Sequence, residues 1–204
     1  MRRLLSVFAL CLPLTACIDS ELELDFKDLE TVNMVSRVQM TPELFEMSGG
    51  DAEMLCPGGE YDLSNEGFAC AVEEQMTVAV LIDALNGPAS MDSPIAQMRG
   101  AIAVEALDED RLKVSLLVSD MVAQMNNEVG DAREMLGMFG PMFEGREIVM
   151  RISAPEIEET NGTLSEDQKT AEFKLPLLDM MSGNAPKDFV TIINLDTCTF
   201  GFFC

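Results

Sequence analysis

The chain has 204 residues, enough for one domain with a substantial hydrophobic core. Its net charge of −23 argues against nucleic acid and anionic lipid headgroups as partners, because phosphate binding needs Lys and Arg. The chain contains no histidine, which removes the usual general base and the commonest metal ligand. The composition therefore favours a protein that is not an enzyme, has an acidic, well-solvated surface and needs no cofactor.

The N-terminal residues have the arrangement of a bacterial signal peptide. Arg2 and Arg3 precede an apolar run over 4–14 that is too short to span a membrane. The run ends in "LTAC", residues 14–17, which resembles a lipobox: an apolar residue, two small residues and a cysteine. The resemblance implies diacylglycerol on the Cys17 sulfur, cleavage before Cys17 and acylation of the new N-terminus. A plain signal peptide that happens to contain a cysteine is the alternative.

This interpretation defines the expected organisation and location of the protein. We predict a lipoprotein signal peptide over 1–16 and a single domain over 17–204, because no Pro/Ser-rich linker or internal repeat divides the chain. The domain would be lipid-anchored in the cell envelope and face the periplasm. In enteric bacteria an aspartate directly after the cysteine retains a lipoprotein at the inner membrane. Here Asp19 stands one position later, which favours the outer membrane.

Four further cysteines remain after the predicted cleavage, and an even number in an exported domain indicates disulfides. Three pairings are possible, and we predict the two local ones, Cys56–Cys70 and Cys198–Cys204. The first closes a loop rich in Gly, Pro and Asn, and the second fixes the C-terminal segment. A metal site is the competing interpretation, but the spacings lack the short cysteine pairs of zinc ribbons.

The first part of the mature sequence predicts strands followed by short helices. Residues 20–26 alternate between apolar and acidic side chains, and 31–40 repeat this period of two, so the two form an opening hairpin. Residues 41–47, "TPELFEM", have the N-cap threonine and N1 proline of a helix. The segment 72–87 is ambiguous, and its length and closing Asn-Gly favour a helix. Residues 100–119 predict a second hairpin around an acidic turn.

The last third predicts mainly strands. One strand spans 146–153, and 154–176 form two antiparallel segments folded over Asn161-Gly162 and Glu166-Asp167. A short helix, "PLLDMMSG", precedes a last, central strand over 188–195. The predicted fold class is therefore α+β, with a twisted antiparallel β-sheet and a few short helices packed on one face.

A methionine-rich segment, 120–143, has helical spacing and suggests three roles. Its methionines could fill the core, form an adaptable apolar face for a lipid or a partner, or bind Cu(I) through thioether sulfur. Copper is the weakest of these, because neither His nor Cys accompanies the methionines. The apolar face would consist of Met121, Met125, Met135, Met138, Phe139 and Met142. We therefore predict a membrane-anchored lipoprotein that binds an apolar ligand or partner. A structural lipoprotein acting only through protein contacts is the alternative.

Three segments resemble the LppM-like lipoprotein domain family, a domain of unknown function. They are the lipobox cysteine followed by an acidic strand ("CIDSELELDF"), the segment "TPELFEM", and the late block over 147–177 with its Pro, Asn-Gly turn and closing strand. The resemblance implies an α+β envelope domain with an antiparallel sheet and no known catalytic residues. Many relatives carry a C-terminal membrane helix, whereas this chain ends in "CTFGFFC". We therefore expect Cys17 to be its membrane attachment.

Overall fold

The chain folds into two β-sheets with short helices in a computed structural model, which describes residues 18–86, 95, 98–129, 140–182 and 187–196. The strands of the described residues are β1 (Ile18–Asp28), β2 (Thr31–Met40), β3 (Glu60–Ser64), β4 (Gly67–Met76), β5 (Ile102–Ala106), β6 (Arg111–Leu116), β7 (Glu147–Ser153), β8 (Glu156–Thr160), β9 (Thr163–Leu164), β10 (Thr170–Pro176) and β11 (Phe189–Asn194). The helices are α1 (Pro42–Met47), α2 (Ala52–Leu55), α3 (Val78–Asn86), α4 (Val118–Val129) and α5 (Leu177–Ser182), with a 3₁₀ turn over Gly140–Phe143. The predicted α+β class is thus confirmed.

The larger sheet has seven strands in the order β3-β4-β2-β1-β7-β10-β9, and the smaller has four in the order β5-β6-β11-β8. All paired strands run antiparallel except β1 and β7, which pair in parallel with Ser20 opposite Ile148. The sequence predicted a twisted antiparallel sheet; the structure divides the strands between two sheets and pairs β1 with β7 in parallel. As predicted, the last strand, β11, lies inside its sheet, between β6 and β8.

The two sheets share one hydrophobic core. The larger sheet contributes the inward residues of β1 and β7, including Phe26 and Met150, and the smaller contributes Phe189 from β11. The ring of Phe173 on β10 stacks on that of Phe189 at 5.0 Å, which joins the sheets directly. Helix α3 adds Val78, Leu81 and Leu85 to the same core. Alternation of apolar and polar residues along each strand therefore places one face of the larger sheet in the core and the other in solvent.

A smaller apolar cluster lies beside β4. It contains Phe68, Cys70, Ala52 and Cys56, and Phe45 of α1 stacks on Phe68 at 5.0 Å. The predicted disulfide between Cys56 and Cys70 is present and ties α2 to β4. A crosslink that closes a loop of this length stabilises a fold by about 3 kcal/mol in the chain-entropy model.

Two local predictions need correction. The segment 72–87 is not one helix, because its first part belongs to β4 and only 78–86 are helical. Thr77 separates the two by accepting a hydrogen bond from the Val80 amide, as an N-cap does. The Asn161-Gly162 pair does not fold one hairpin, because it carries the chain from β8 in the smaller sheet to β9 in the larger. The second predicted turn, at Glu166-Asp167, does join the antiparallel strands β9 and β10.

Asn161 and Gly162 have specific roles at this crossover. The Asn161 side chain accepts from the Val190 amide and donates to the Asp188 carbonyl, both at 2.8 Å. A Cβ on Gly162 would lie 2.5 Å from the ring of Phe189 and 2.6 Å from the Glu172 carbonyl oxygen. The Asn-Gly signal therefore marks a close approach between the sheets, where the sequence pattern predicted a tight hairpin turn.

Gly67 begins β4 with a φ of 134°, and a Cβ there would lie 2.1 Å from the Met40 carbonyl oxygen. We predict that Gly67→Ala lowers the free energy of unfolding by about 3 kcal/mol, because backbone strain and a backbone clash add. Gly58→Ala is the matched control, since Gly58 has a φ of 75° and nothing within 4 Å of the added carbon. Gly58→Ala should lower the free energy of unfolding by about 1 kcal/mol. Urea titrations followed by circular dichroism measure both, and equal losses would contradict the clash.

Candidate functional site

The predicted lipidation site, Cys17, lies outside the described residues, but the chain that follows it is described from Ile18 onward. Strand β1 begins at Ile18 itself. The sequence predicted the first strand from residue 20 onward, and the observed strand begins two residues earlier and includes Asp19. A lipid on Cys17 would therefore be joined to the larger sheet without any intervening loop.

The strand register defines the end of the sheet at which β1 starts. Ile18 lies opposite Met40 of β2, Met40 lies opposite Phe68 of β4, and Phe68 lies opposite Leu63 of β3. We call this end of the strands of the larger sheet the Ile18 end. Because β7 runs parallel to β1, the start of β7 lies at the Ile18 end as well.

Two shallow grooves open at the Ile18 end, and both are lined by Asp19 and Gln39. The first has a volume of about 250 Å³ and the second of about 220 Å³. The first is lined by Asp19, Ser20, Glu21, Arg37, Gln39, Gly145, Glu147, Val149 and Arg151. The second is lined by Asp19, Gln39, Met40, Asp62, Ser64, Glu66, Gly67, Phe68 and Ala69. Charged and amide side chains predominate in the first groove, which suits a polar ligand better than an apolar one.

Arg146 fixes the position of Asp19 between the grooves. Its side chain is only 4% exposed, and its Nη1 atom lies 2.8 Å from Oδ2 of Asp19. The Arg146 carbonyl accepts a hydrogen bond from the amide of Leu177, the first residue of α5. Removing Asp19 would leave the buried Arg146 charge without compensation, which is strongly destabilising. Arg146 therefore couples the first strand to the start of α5.

A row of alternating charges crosses four strands on the solvent face of the larger sheet. Arg37 on β2 lies 3.7 Å from Glu21 on β1, and Glu21 also pairs with Arg151 on β7. Arg151 lies 2.8 Å from Glu172 on β10, which in turn lies 3.4 Å from Lys174. Opposite charges on neighbouring strands stabilise their pairing. We call these five residues the ion-pair row.

Glu172, a member of the ion-pair row, has a shifted pKa. Burial alone would raise its pKa, but hydrogen bonds from Arg151 and Lys174, together with their charges, lower the pKa of Glu172 below its ordinary value of 4.5. A carboxylate held in this way supports the sheet in its ionised form. The other acidic member of the row, Glu21, lies between two arginines. The row is therefore a structural network, and its carboxylates are engaged by cations.

The described residues contain no group of three or more Asp, Glu or Cys side chains placed to hold a metal ion. None of the described helices has the length and apolar character needed to cross a bilayer.

The residues predicted for the apolar face are only partly described. Met121 is half-buried on α4 and packs against the shared core, which agrees with the core-filling interpretation for this residue. The backbones of Met125 and Met142 lie in α4 and the 3₁₀ turn, but their side chains are outside the description. Met135, Met138 and Phe139 lie outside the described residues, as do Cys198 and Cys204. The second predicted disulfide thus stays a prediction.

Sequence reasoning missed Arg146 and the ion-pair row. The signal was present, because Arg37, Arg151 and Glu172 all occupy outward positions of strands with clear alternation. What was lacking was the strand order, which alone shows that these positions are neighbours.

Comparison with known proteins gives one structural likeness. No protein-family profile matches the chain, and no curated protein matches it. The fold is similar to the NMR structure of the folded domain of LppM from Mycobacterium tuberculosis, with 12% identity, 92% of this chain and 95% of that chain covered, and a TM-score of 0.49. The likeness concerns the path of the backbone alone.

We predict that Glu172→Gln makes unfolding less dependent on pH. The pKa of Glu172 is lowered in the folded state. The ionised side chain therefore adds to the free energy of unfolding at any pH above its ordinary pKa, and this stabilisation is lost as the pH falls through the lower pKa of the folded protein. The free energy of unfolding of the wild type should exceed that of the variant by about 1 kcal/mol at neutral pH, and the two values should converge in acid. Urea titrations at a series of pH values measure this. Glu159→Gln, at an exposed position on β8, is the control and should leave the profile unchanged.

Proposed function

We propose that this protein is a bacterial envelope lipoprotein, exported and acylated on Cys17, and that its domain is not an enzyme. The observation that carries the proposal is the sequence "LTAC" directly before β1. Lipid chains on that cysteine would hold the domain at the periplasmic surface of a membrane, with the outer membrane favoured. Several acyl chains together anchor a protein firmly, since each buried CH₂ contributes about 0.8 kcal/mol.

Two features of the described domain support this proposal. The Cys56–Cys70 disulfide is the kind of crosslink that persists in exported proteins and is rare in the cytosol. Asp19 and Glu21, two of the carboxylates that line the grooves, are held by arginine, which suits a structural role better than acid–base chemistry.

We further propose that the domain binds an apolar or lipid-like ligand, or an apolar partner segment, at the methionine-rich segment. Met121 on α4 and Met180 on α5 are both half-buried at the edge of the shared core. Methionine side chains adapt readily to different apolar surfaces. The start of α5 lies at the Ile18 end, because β10 finishes with Pro176 opposite Glu147 at the start of β7. A ligand held there would lie near the proposed membrane anchor.

The alternative is a structural lipoprotein that acts only through protein contacts. The packing of Met121 against the core favours this alternative, because the part of its side chain that contacts the core is not available to a ligand.

Replacement of the lipidation site tests the anchor. We predict that Cys17→Ser abolishes incorporation of labelled palmitate and moves the protein from the membrane pellet to the soluble fraction, because the acylated thiol is lost. Cys11→Ser is the matched control, since Cys11 leaves with the predicted signal peptide. A Cys17→Ser protein that still sediments with membranes would show that another part of the chain attaches it.

Native mass spectrometry of the full chain after mild detergent extraction tests ligand binding. We predict a lipid-like adduct on the wild type and at least a tenfold smaller adduct on Met121→Gln, because a polar amide disrupts the apolar face. Leu107→Gln is the control, since Leu107 is an exposed apolar residue in the turn after β5, in a different part of the fold. A wild type that carries no adduct, but crosslinks in cells to one stoichiometric protein, would favour the structural alternative.

A further inference from the structure

Large apolar side chains are exposed around the disulfide-linked part of the domain. The exposed fractions are 61% for Met47 on α1, 72% for Met54 on α2, 46% for Tyr61 and 52% for Leu63 on β3. Tyr61 stacks against the buried Phe68 with ring centroids 6.4 Å apart, so the patch continues the smaller apolar cluster outward. We call these four exposed residues, Met47, Met54, Tyr61 and Leu63, the apolar rim.

The apolar rim lies at the Ile18 end of the larger sheet. Leu63 is three strands from Ile18 along the register, which corresponds to about 14 Å at the usual strand spacing. Helix α1 starts two residues after Met40, and the disulfide ties α2 to β4. All four residues thus lie beside the point where the lipid on Cys17 would enter the membrane.

We infer that the apolar rim docks into the interfacial layer of the bilayer that holds Cys17, an inference that rests on the proposed lipidation. The length of chain between the anchor and the fold is the main argument. Cys17 and Ile18 are consecutive, so their Cα atoms lie about 3.8 Å apart and β1 starts at the depth of the headgroups. A domain held this closely must bring some surface against the bilayer, and the Ile18 end is that surface.

The chemistry of the rim fits a bilayer interface. Tyrosine is enriched where membranes meet water, and exposed Met and Leu provide the apolar area that drives interfacial binding. Glu43, Glu46 and Glu53 stand on the same two helices. These carboxylates would be repelled by anionic lipids, so the rim suits a zwitterionic surface.

Single-tryptophan variants test the docking directly, because the chain contains no tryptophan. The acylated full chain with Met54→Trp is placed on phosphatidylcholine vesicles that contain lipids brominated on the acyl chains. We expect its fluorescence to be quenched at least twofold and shifted to shorter wavelength. Leu29→Trp is the matched control, because Leu29 is 40% exposed in the turn after β1, about 35 Å from Ile18. Its fluorescence should be unaffected, and Leu63→Trp should repeat the Met54→Trp result.

Flotation of the vesicles separates the two proposals. Protein that floats while Met54→Trp and Leu63→Trp stay unquenched would overturn the docking and leave the anchor intact. Protein that does not float would overturn both. If the Met54→Trp variant were unquenched in vesicles but shielded from aqueous iodide in native membranes, a protein would cover the rim and membrane docking would be wrong. Adding anionic phosphatidylglycerol should reduce the quenching, and an increase would contradict the role of the carboxylates.

Discussion

The pairing of β1 on both of its edges is the interaction on which the rest of the structure depends. One edge pairs with β2 over the whole length of the strand and the other pairs in parallel with β7. Inward residues such as Phe26 enter the shared core, and outward residues such as Glu21 join the ion-pair row. Since β1 begins directly after Cys17, an anchor there would be joined to the middle of the sheet and the domain would have little freedom to reorient.

Much of the fold could be predicted from the sequence because strand alternation, helix caps and turn residues are local signals. The alternation over 20–26 and the Thr-Pro start of α1 both correspond to the observed elements. The parallel pairing of β1 with β7 could not be predicted, because it joins segments more than 120 residues apart and nothing local encodes it. The Asn161-Gly162 signal misled for a related reason: the pair is used for a close approach between two sheets whose existence the sequence did not reveal.

The residues of the candidate site could likewise be predicted from the sequence only in part. The lipobox-like sequence is contiguous, so Cys17 could be proposed as a lipidation site without a structure, and the local spacing of Cys56 and Cys70 sufficed to predict their bond. The ion-pair row could not be found, because its members come from four strands and only their order brings Arg151 between Glu21 and Glu172. The methionine-rich segment gave an ambiguous signal because core filling and ligand binding demand the same side chains. The half-buried position of Met121 keeps both uses compatible with this helix.

The parallel pairing of β1 with β7 also means that a lipid ligand and a protein partner, the two proposed binding partners, would approach the domain from different sides. Because β7 starts at the Ile18 end, the 3₁₀ turn before it and the start of α5 are brought to the side of the domain nearest the proposed anchor. A neutral lipid leaving the bilayer could reach the methionine-rich segment from that side, because the carboxylates of the acidic exterior do not repel a neutral molecule. A protein partner arriving from the periplasm would meet that exterior first, and its own charge would decide how fast it associates. Association that slows as salt is added therefore indicates a cationic protein partner, whereas uptake of a neutral lipid from the membrane should be insensitive to salt.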